Sequence, residues 1–61
     1  MHRHDRIRLA ASAAVDPRTV ERWLESPDRV SRSSATVLER AAAELGLLEQ
    51  ARSLQAPPGA A

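Results

Sequence analysis

The chain has 61 residues, nine basic and eight acidic, and its formal net charge at pH 7 is +1. This length allows one small domain, which buries only about 60% of the surface that its unfolded chain exposes. Because there is no cysteine, neither a disulfide nor a zinc–thiolate site can stabilise it. There is no apolar run near the roughly 20 residues of a membrane span and no signal-peptide pattern, which predicts a soluble, cytoplasmic protein.

Basic charge is concentrated in the first half of the chain. Residues 1–32 hold seven arginines and five acidic residues, a net charge of +2, whereas residues 33–61 carry −1. All nine basic residues are arginine, which suits bidentate contacts to phosphate and guanine, although a GC-rich genome also favours arginine. This asymmetry and a pI near 9.1 permit nucleic-acid binding without establishing it.

The first predicted helix begins near Asp5, whose carboxylate can cap it. Residues 1–4 are expected to be frayed, and His2 and His4 lack a third ligand, so we expect no metal and no other cofactor. Ala14 takes the place in the following turn where glycine is frequent. The apolar residues at approximate helical spacing are Ile7, Leu9, Ala10, Ala13 and Ala14.

The second predicted helix covers about residues 17–25. Asp16 is a favourable N-cap, and Pro17 falls at the first helical position, where its missing N–H costs nothing. Val20 and Leu24 lie four residues apart on one face, which indicates that this face is buried.

A different face of the same helix carries Arg18 and Arg22, again four residues apart. Two guanidinium groups that point the same way indicate an anionic surface opposite them. This pattern is typical of a helix-turn-helix, whose second helix enters the major groove of DNA. Trp23 is the only aromatic residue. It either covers the small core or is an exposed anchor for a partner, and we favour the core position.

Residues 25–29 predict a loop, because proline and aspartate among short polar neighbours break a helix. Ser31 is then the N-cap of a third helix, predicted from about Arg32 to Leu45 and followed by Gly46 at its C-terminal end. The apolar stripe predicted for this helix is Val37, Leu38, Ala41, Ala42 and Leu45.

A second apolar stripe follows Gly46 and fits either a continued helix or a short fourth one. It consists of Leu47, Leu48, Ala51 and Leu54. The stripe either packs back on the core near Trp23 or forms a homodimer interface. The sequence therefore predicts an all-α, three-helix helix-turn-helix domain over residues 5–55, with a short fourth helix as an option, and a disordered tail at 56–61.

Three blocks resemble the DNA-binding headpiece of LacI-type repressors. They are VDPRTVER at 15–22, RVS at 29–31 and ERAAAELG at 39–46. The likeness covers roughly residues 6–47, and the spacing of the blocks fits without a gap. The run at 19–24 is also similar to excisionase and MerR-type proteins, but these usually continue into a wing, whereas a third helix is predicted here.

The resemblance implies a bacterial, sequence-specific double-stranded DNA-binding protein that regulates transcription at the nucleoid. It assigns base contacts to Pro17, Arg18 and Arg22 in the second helix. It assigns phosphate contacts to Thr19, Arg29, Ser31 and Ser34. Asp16 and Glu21 stand where the family has small hydroxyl residues; capping accounts for Asp16, whereas Glu21 must turn away, pair with an arginine or accept from cytosine N4.

The runner-up hypothesis is a small helical protein–protein interaction module, favoured by the acidic side chains Asp16, Glu21 and Glu25 near the arginines. We expect no enzyme, because cysteine, lysine and tyrosine are missing and the chain is too short for a sizeable pocket. The hinge helix and sugar-binding domain of LacI-type repressors have no counterpart here, so we expect no small-molecule effector, and either a minimal DNA-binding protein or a fragment. A homodimer through the second apolar stripe would suit a palindromic site.

Overall fold

The structure, a computed structural model, describes residues 1–55, and every regular element in this range is helical. In chain order these elements are α1 (Arg3–Ala13), α2 (Pro17–Glu25), a 3₁₀ turn (Pro27–Arg29), α3 (Arg32–Leu45) and α4 (Leu48–Gln55). The all-α class is confirmed, and the fourth helix is present. The tail expected at 56–61 lies outside the described residues. None of the described helices is long and apolar enough to cross a membrane.

The core lies where α1 packs on α2 and α3 and where α4 packs on α2 and α3. Helix α2 contributes the largest fully buried side chain, Trp23, together with the buried Val20 and Leu24. The other helices contribute mainly alanines, whose small side chains leave room for the indole ring. The remaining buried residues are Leu9, Ala10, Ala13, Leu38, Ala41, Ala42, Leu47 and Ala51.

Helix α1 begins earlier than the sequence indicated. Its first residue is Arg3 and its N-cap is His2, so the expectation of a frayed segment at 1–4 with Asp5 as the cap is wrong. Asp5 instead lies in the first turn, where a carboxylate interacts favourably with the helix dipole. Its Oδ1 lies 3.7 Å from Nη1 of Arg8, three residues further along the same helix.

The two predicted N-caps differ in their hydrogen bonding. Ser31 caps α3 as expected, since its Oγ accepts from the N–H of Ser34 at 3.3 Å. Asp16 occupies the N-cap position of α2 but makes no side-chain cap hydrogen bond. The N–H of Thr19, which such a cap would use, instead donates to the Asp16 carbonyl at 2.9 Å.

Helices α1 and α3 end in the same way, with one left-handed residue. Ala14 has φ 57° and Gly46 has φ 72°, and Ala14 is the only described non-glycine residue with positive φ. In both places the left-handed residue and its successor donate their N–H groups to carbonyls in the last turn, as in a Schellman motif. The left-handed conformation costs an L-residue such as alanine roughly 1–2 kcal/mol, which the packing of α2 on α1 must offset.

The apolar stripe of α3 is confirmed at Leu38 and at the two alanines that follow one turn later, all of which are buried. The residues at the edges of this stripe are more exposed to solvent than expected. Val37 is 43% exposed and Leu45 is half-buried. The loop predicted at 25–29 contains the 3₁₀ turn, and its first residue still belongs to α2. Trp23 is 2% exposed, which confirms that it lies in the core.

The second apolar stripe packs back on the core. Leu47 and Ala51 are buried, Leu48 is half-buried against the core, and Leu54 is 47% exposed. The end of α4 is tied to α2, because Nε2 of Gln55 donates to the carbonyl oxygen of Trp23 at 3.0 Å. Leu47 and Ala51, two of the four residues expected at a dimer interface, are therefore buried in the core of the chain itself.

We expect Ala14→Gly to raise the free energy of unfolding by about 0.5–1 kcal/mol, because glycine relieves the left-handed strain but adds entropy to the unfolded chain. Gly46→Ala should lower it by about 1 kcal/mol, purely through the backbone, since an added Cβ meets no atom within 4 Å. Urea unfolding followed by Trp23 fluorescence measures both. Ala11→Gly, at an exposed right-handed position of α1, is the control and should destabilise. If Ala14→Gly and Ala11→Gly lowered the free energy of unfolding equally, the inferred strain at Ala14 would be contradicted.

Candidate nucleic-acid interface

The exposed face of α2 carries two parallel rows of side chains. One row contains Arg18 and Arg22, and the other contains Pro17, Glu21 and Glu25, each residue four positions from the next. The four-residue spacing places the members of a row one above the other on the helix surface. The three residues expected to contact bases, Pro17, Arg18 and Arg22, are all exposed on this face.

A shallow cavity brings three of the expected contact residues together. It has a volume of about 330 Å³ and is lined by Arg18, Glu21, Arg22, Glu25, Ser26 and Arg29. Arg29 belongs to the 3₁₀ turn, which folds back beside the end of α2, and it extends the basic row by a third guanidinium group. We call Arg18, Arg22 and Arg29 the arginine row.

The other expected phosphate contacts lie outside this cavity. Thr19 is half-buried on α2, Ser31 is exposed and Ser34 is half-buried. The Ser31 hydroxyl donates to Oγ of Ser34 at 3.0 Å while its oxygen accepts from the Ser34 N–H. The N–H groups of Arg32 and Ser33 have no intrahelical acceptor, because they belong to the first turn of α3. This turn can therefore donate hydrogen bonds to an anion.

Glu21 pairs with an arginine, one of the three arrangements that the sequence left open. Its Oε1 lies 4.0 Å from Nε of Arg6 in α1, and the side chains of Glu21 and Arg6 are 57% and 32% exposed. Nη1 of Arg6 also donates to the carbonyl oxygen of Met1 at 2.8 Å. Sequence reasoning did not include Arg6 in the site, because only the packing of α1 on α2 places it beside Glu21.

No family model, curated protein or solved structure matches this chain. The resemblance to LacI-type headpieces therefore stays a prediction from the three sequence blocks.

We expect Ser31→Ala to lower the free energy of unfolding by about 1 kcal/mol, because the Ser34 N–H loses its acceptor. Ser31→Asp should retain most of the stability, since aspartate is an equally good N-cap and its charge favours the helix N-terminus. Thermal unfolding followed by circular dichroism measures both changes. Ser33→Ala, at an exposed neighbouring position, is the control and should change stability by less than about 0.5 kcal/mol. A Ser31→Ala value within the control's range would show that the cap contributes nothing.

Proposed function

We propose that this chain is a sequence-specific double-stranded DNA-binding protein that regulates transcription. In this proposal α1 and α2 form a helix-turn-helix and α2 lies in the major groove. The observation that carries the proposal is the convergence of the arginine row on the exposed face of α2 and the adjoining 3₁₀ turn. The resemblance of the three sequence blocks to LacI-type headpieces supports the same conclusion.

Base reading is assigned to Arg18 and Arg22, with Pro17 giving apolar contact such as that to a thymine methyl group. An arginine can donate two hydrogen bonds to O6 and N7 of guanine, which is worth about 1–3 kcal/mol of discrimination. Residues four apart are separated by about 6 Å along a helix, close to two base-pair steps of about 3.4 Å. We therefore expect the preferred site to contain two guanines about two steps apart.

Phosphate contacts are assigned to Arg29 and Thr19 and to the first turn of α3, where Ser31 and Ser34 lie. The N–H groups that lack an acceptor and the positive end of the helix dipole favour a phosphate at this turn. Such contacts would fix the register of α2 on the duplex without reading sequence.

A homodimer on a palindromic site is part of the proposal, since a single small module binds weakly and two linked modules gain avidity. Leu47 and Ala51 lie in the chain's own core, so the contact between copies would use Leu54 and the exposed part of Leu48. A protein of this kind would act at the nucleoid.

The second candidate is a helical protein–protein interaction module. The observation that favours it is the row of Glu21 and Glu25 beside the arginine row, which leaves the face of α2 only weakly basic. Salt separates the two candidates. Phosphate binding weakens by a logarithmic slope of about −0.9 for each phosphate neutralised, whereas an apolar helix–helix contact barely responds.

Amide NMR spectra with a mixed-sequence, GC-containing duplex test the proposal directly. At about 50 mM salt we expect the amides of Arg18, Thr19, Arg22, Ser31 and Ser34 to shift on addition of the duplex, and at about 200 mM the shifts should largely disappear. If the signals of these amides do not shift at either salt concentration, DNA binding is ruled out and a protein partner is favoured.

Arginine substitutions separate base reading from phosphate binding. Arg22→Ala should cost about 1–3 kcal/mol on the preferred duplex and relax specificity, whereas Arg29→Ala should weaken binding to all sequences and reduce the salt slope by about 0.9. Fluorescence anisotropy across a salt series measures both. Arg40→Ala, exposed on α3 and about 12 Å along the helix from its first residue, is the control and should bind as the unmodified chain does. If all three variants lost the same DNA affinity, binding would depend only on the net charge of the chain, which would contradict the assigned contacts.

A further inference from the structure

Glu21 occupies the centre of the exposed face of α2. It lies between Arg18 and Arg22 in sequence and lines the cavity that contains the arginine row. On its other side it lines a cavity of about 250 Å³ together with Arg3, Arg6, Ile7 and Pro17. Its side chain is 57% exposed, so the carboxylate is accessible to a large ligand that covers α2.

A carboxylate at this position opposes DNA binding unless it meets a hydrogen-bond donor. Repulsion by phosphates weakens binding to every sequence alike, so it carries no sequence information. In the major groove cytosine presents the N4 amino donor, whereas guanine presents two acceptors and thymine an acceptor and a methyl group. Adenine also presents a donor, but its neighbouring N7 acceptor repels a carboxylate.

We propose that Glu21 is a third base-reading residue, whose carboxylate accepts a hydrogen bond from N4 of a cytosine, and that Arg6 positions it. This inference rests on the proposed function. Arg18 and Arg22 can read only acceptors such as those of guanine, so an acceptor in the neighbouring row of the same face adds a base that arginine cannot select. The face of α2 then reads guanine and cytosine with side chains of opposite charge.

Arg6 is held at its other end, which makes it suited to a positioning role. Its Nη1 donates to the Met1 carbonyl at 2.8 Å, while its Nε stays 4.0 Å from Oε1 of Glu21. A separation of 4.0 Å is too long for a hydrogen bond, so the carboxylate retains its acceptor capacity while it is attracted towards α1. The guanidinium charge also offsets part of the phosphate repulsion.

Selection from a randomised duplex library by the full 61-residue chain, at fixed salt, tests the inference. The unmodified chain should enrich a cytosine at one fixed distance from the guanines. Glu21→Ala should reduce the preference for that cytosine by about fivefold to 100-fold and leave the guanine preferences unchanged. Glu21→Gln should shift this position towards adenine, since glutamine pairs with N6 and N7 of adenine.

Glu25→Gln is the matched control for charge, because Glu25 lines the same cavity one turn further along α2. Loss of either charge should raise the affinity for sites that lack the cytosine, but only the Glu21 variants should alter the preference at the cytosine position. If Glu21→Ala raises affinity and leaves every base preference unchanged, Glu21 is only a source of repulsion; the inference is then overturned and the proposed function stands. If the unmodified chain enriches no sequence and its binding lacks steep salt dependence, both are overturned.

Arg6→Ala tests the positioning role in the same selection. We expect it to weaken the cytosine preference several-fold without affecting the guanine positions. Arg8→Ala removes the same charge from α1 at a residue paired with Asp5, and it should leave the cytosine preference unchanged. A lower melting temperature in Arg6→Ala with an unaltered cytosine preference would overturn the positioning role.

Discussion

The burial of Trp23 is the interaction on which the rest of the structure depends. Trp23 is 2% exposed and is the largest fully buried side chain, in a core to which the other helices contribute mainly alanines. Fully burying a large apolar side chain contributes about 3 kcal/mol, a large share of the stability of a domain this small. Helix α4 packs against α2, and Nε2 of Gln55 donates to the Trp23 carbonyl oxygen at the end of α2. With one face of α2 fixed in this way, the opposite face must point to solvent.

The turn between α1 and α2 sets the second constraint. Ala14 holds a left-handed conformation that glycine would adopt without strain, and the N–H groups of Ala14 and Val15 donate to carbonyls in the last turn of α1. This tight turn brings α2 against α1 and places Arg6 beside Glu21, although the two residues are far apart in sequence. The arginine row remains exposed in the described part of the chain. Core packing and the candidate site therefore depend on the same short segment.

Local signals allowed much of the fold to be predicted from the sequence. Pro17, Ser31 and Gly46 mark helix ends through chemistry that acts within one turn, and all three lie where the sequence placed them. The predictions that were wrong concerned side chains whose contacts depend on residues or helices outside the local segment. Asp5 pairs with Arg8 and does not cap α1, and the extent to which Val37 is covered depends on which helices pack beside α3. Helical spacing identifies an apolar stripe but not the surface that buries it.

In the candidate site, too, contacts within one helix could be predicted from the sequence, whereas contacts between elements could not. Spacing alone placed Arg18 and Arg22 on one face, whereas the addition of Arg29 required the 3₁₀ turn to fold back beside α2. The site also contains opposing charges, which bears on how it would recognise DNA. A strongly basic surface binds all sequences tightly, and the genome offers a vast excess of wrong sites. In the proposed function Glu21 and Glu25 would lower that general attraction, so a larger share of the binding energy would have to come from base contacts. A weakly basic face is therefore compatible with DNA recognition when specificity, rather than affinity, is what the surface provides.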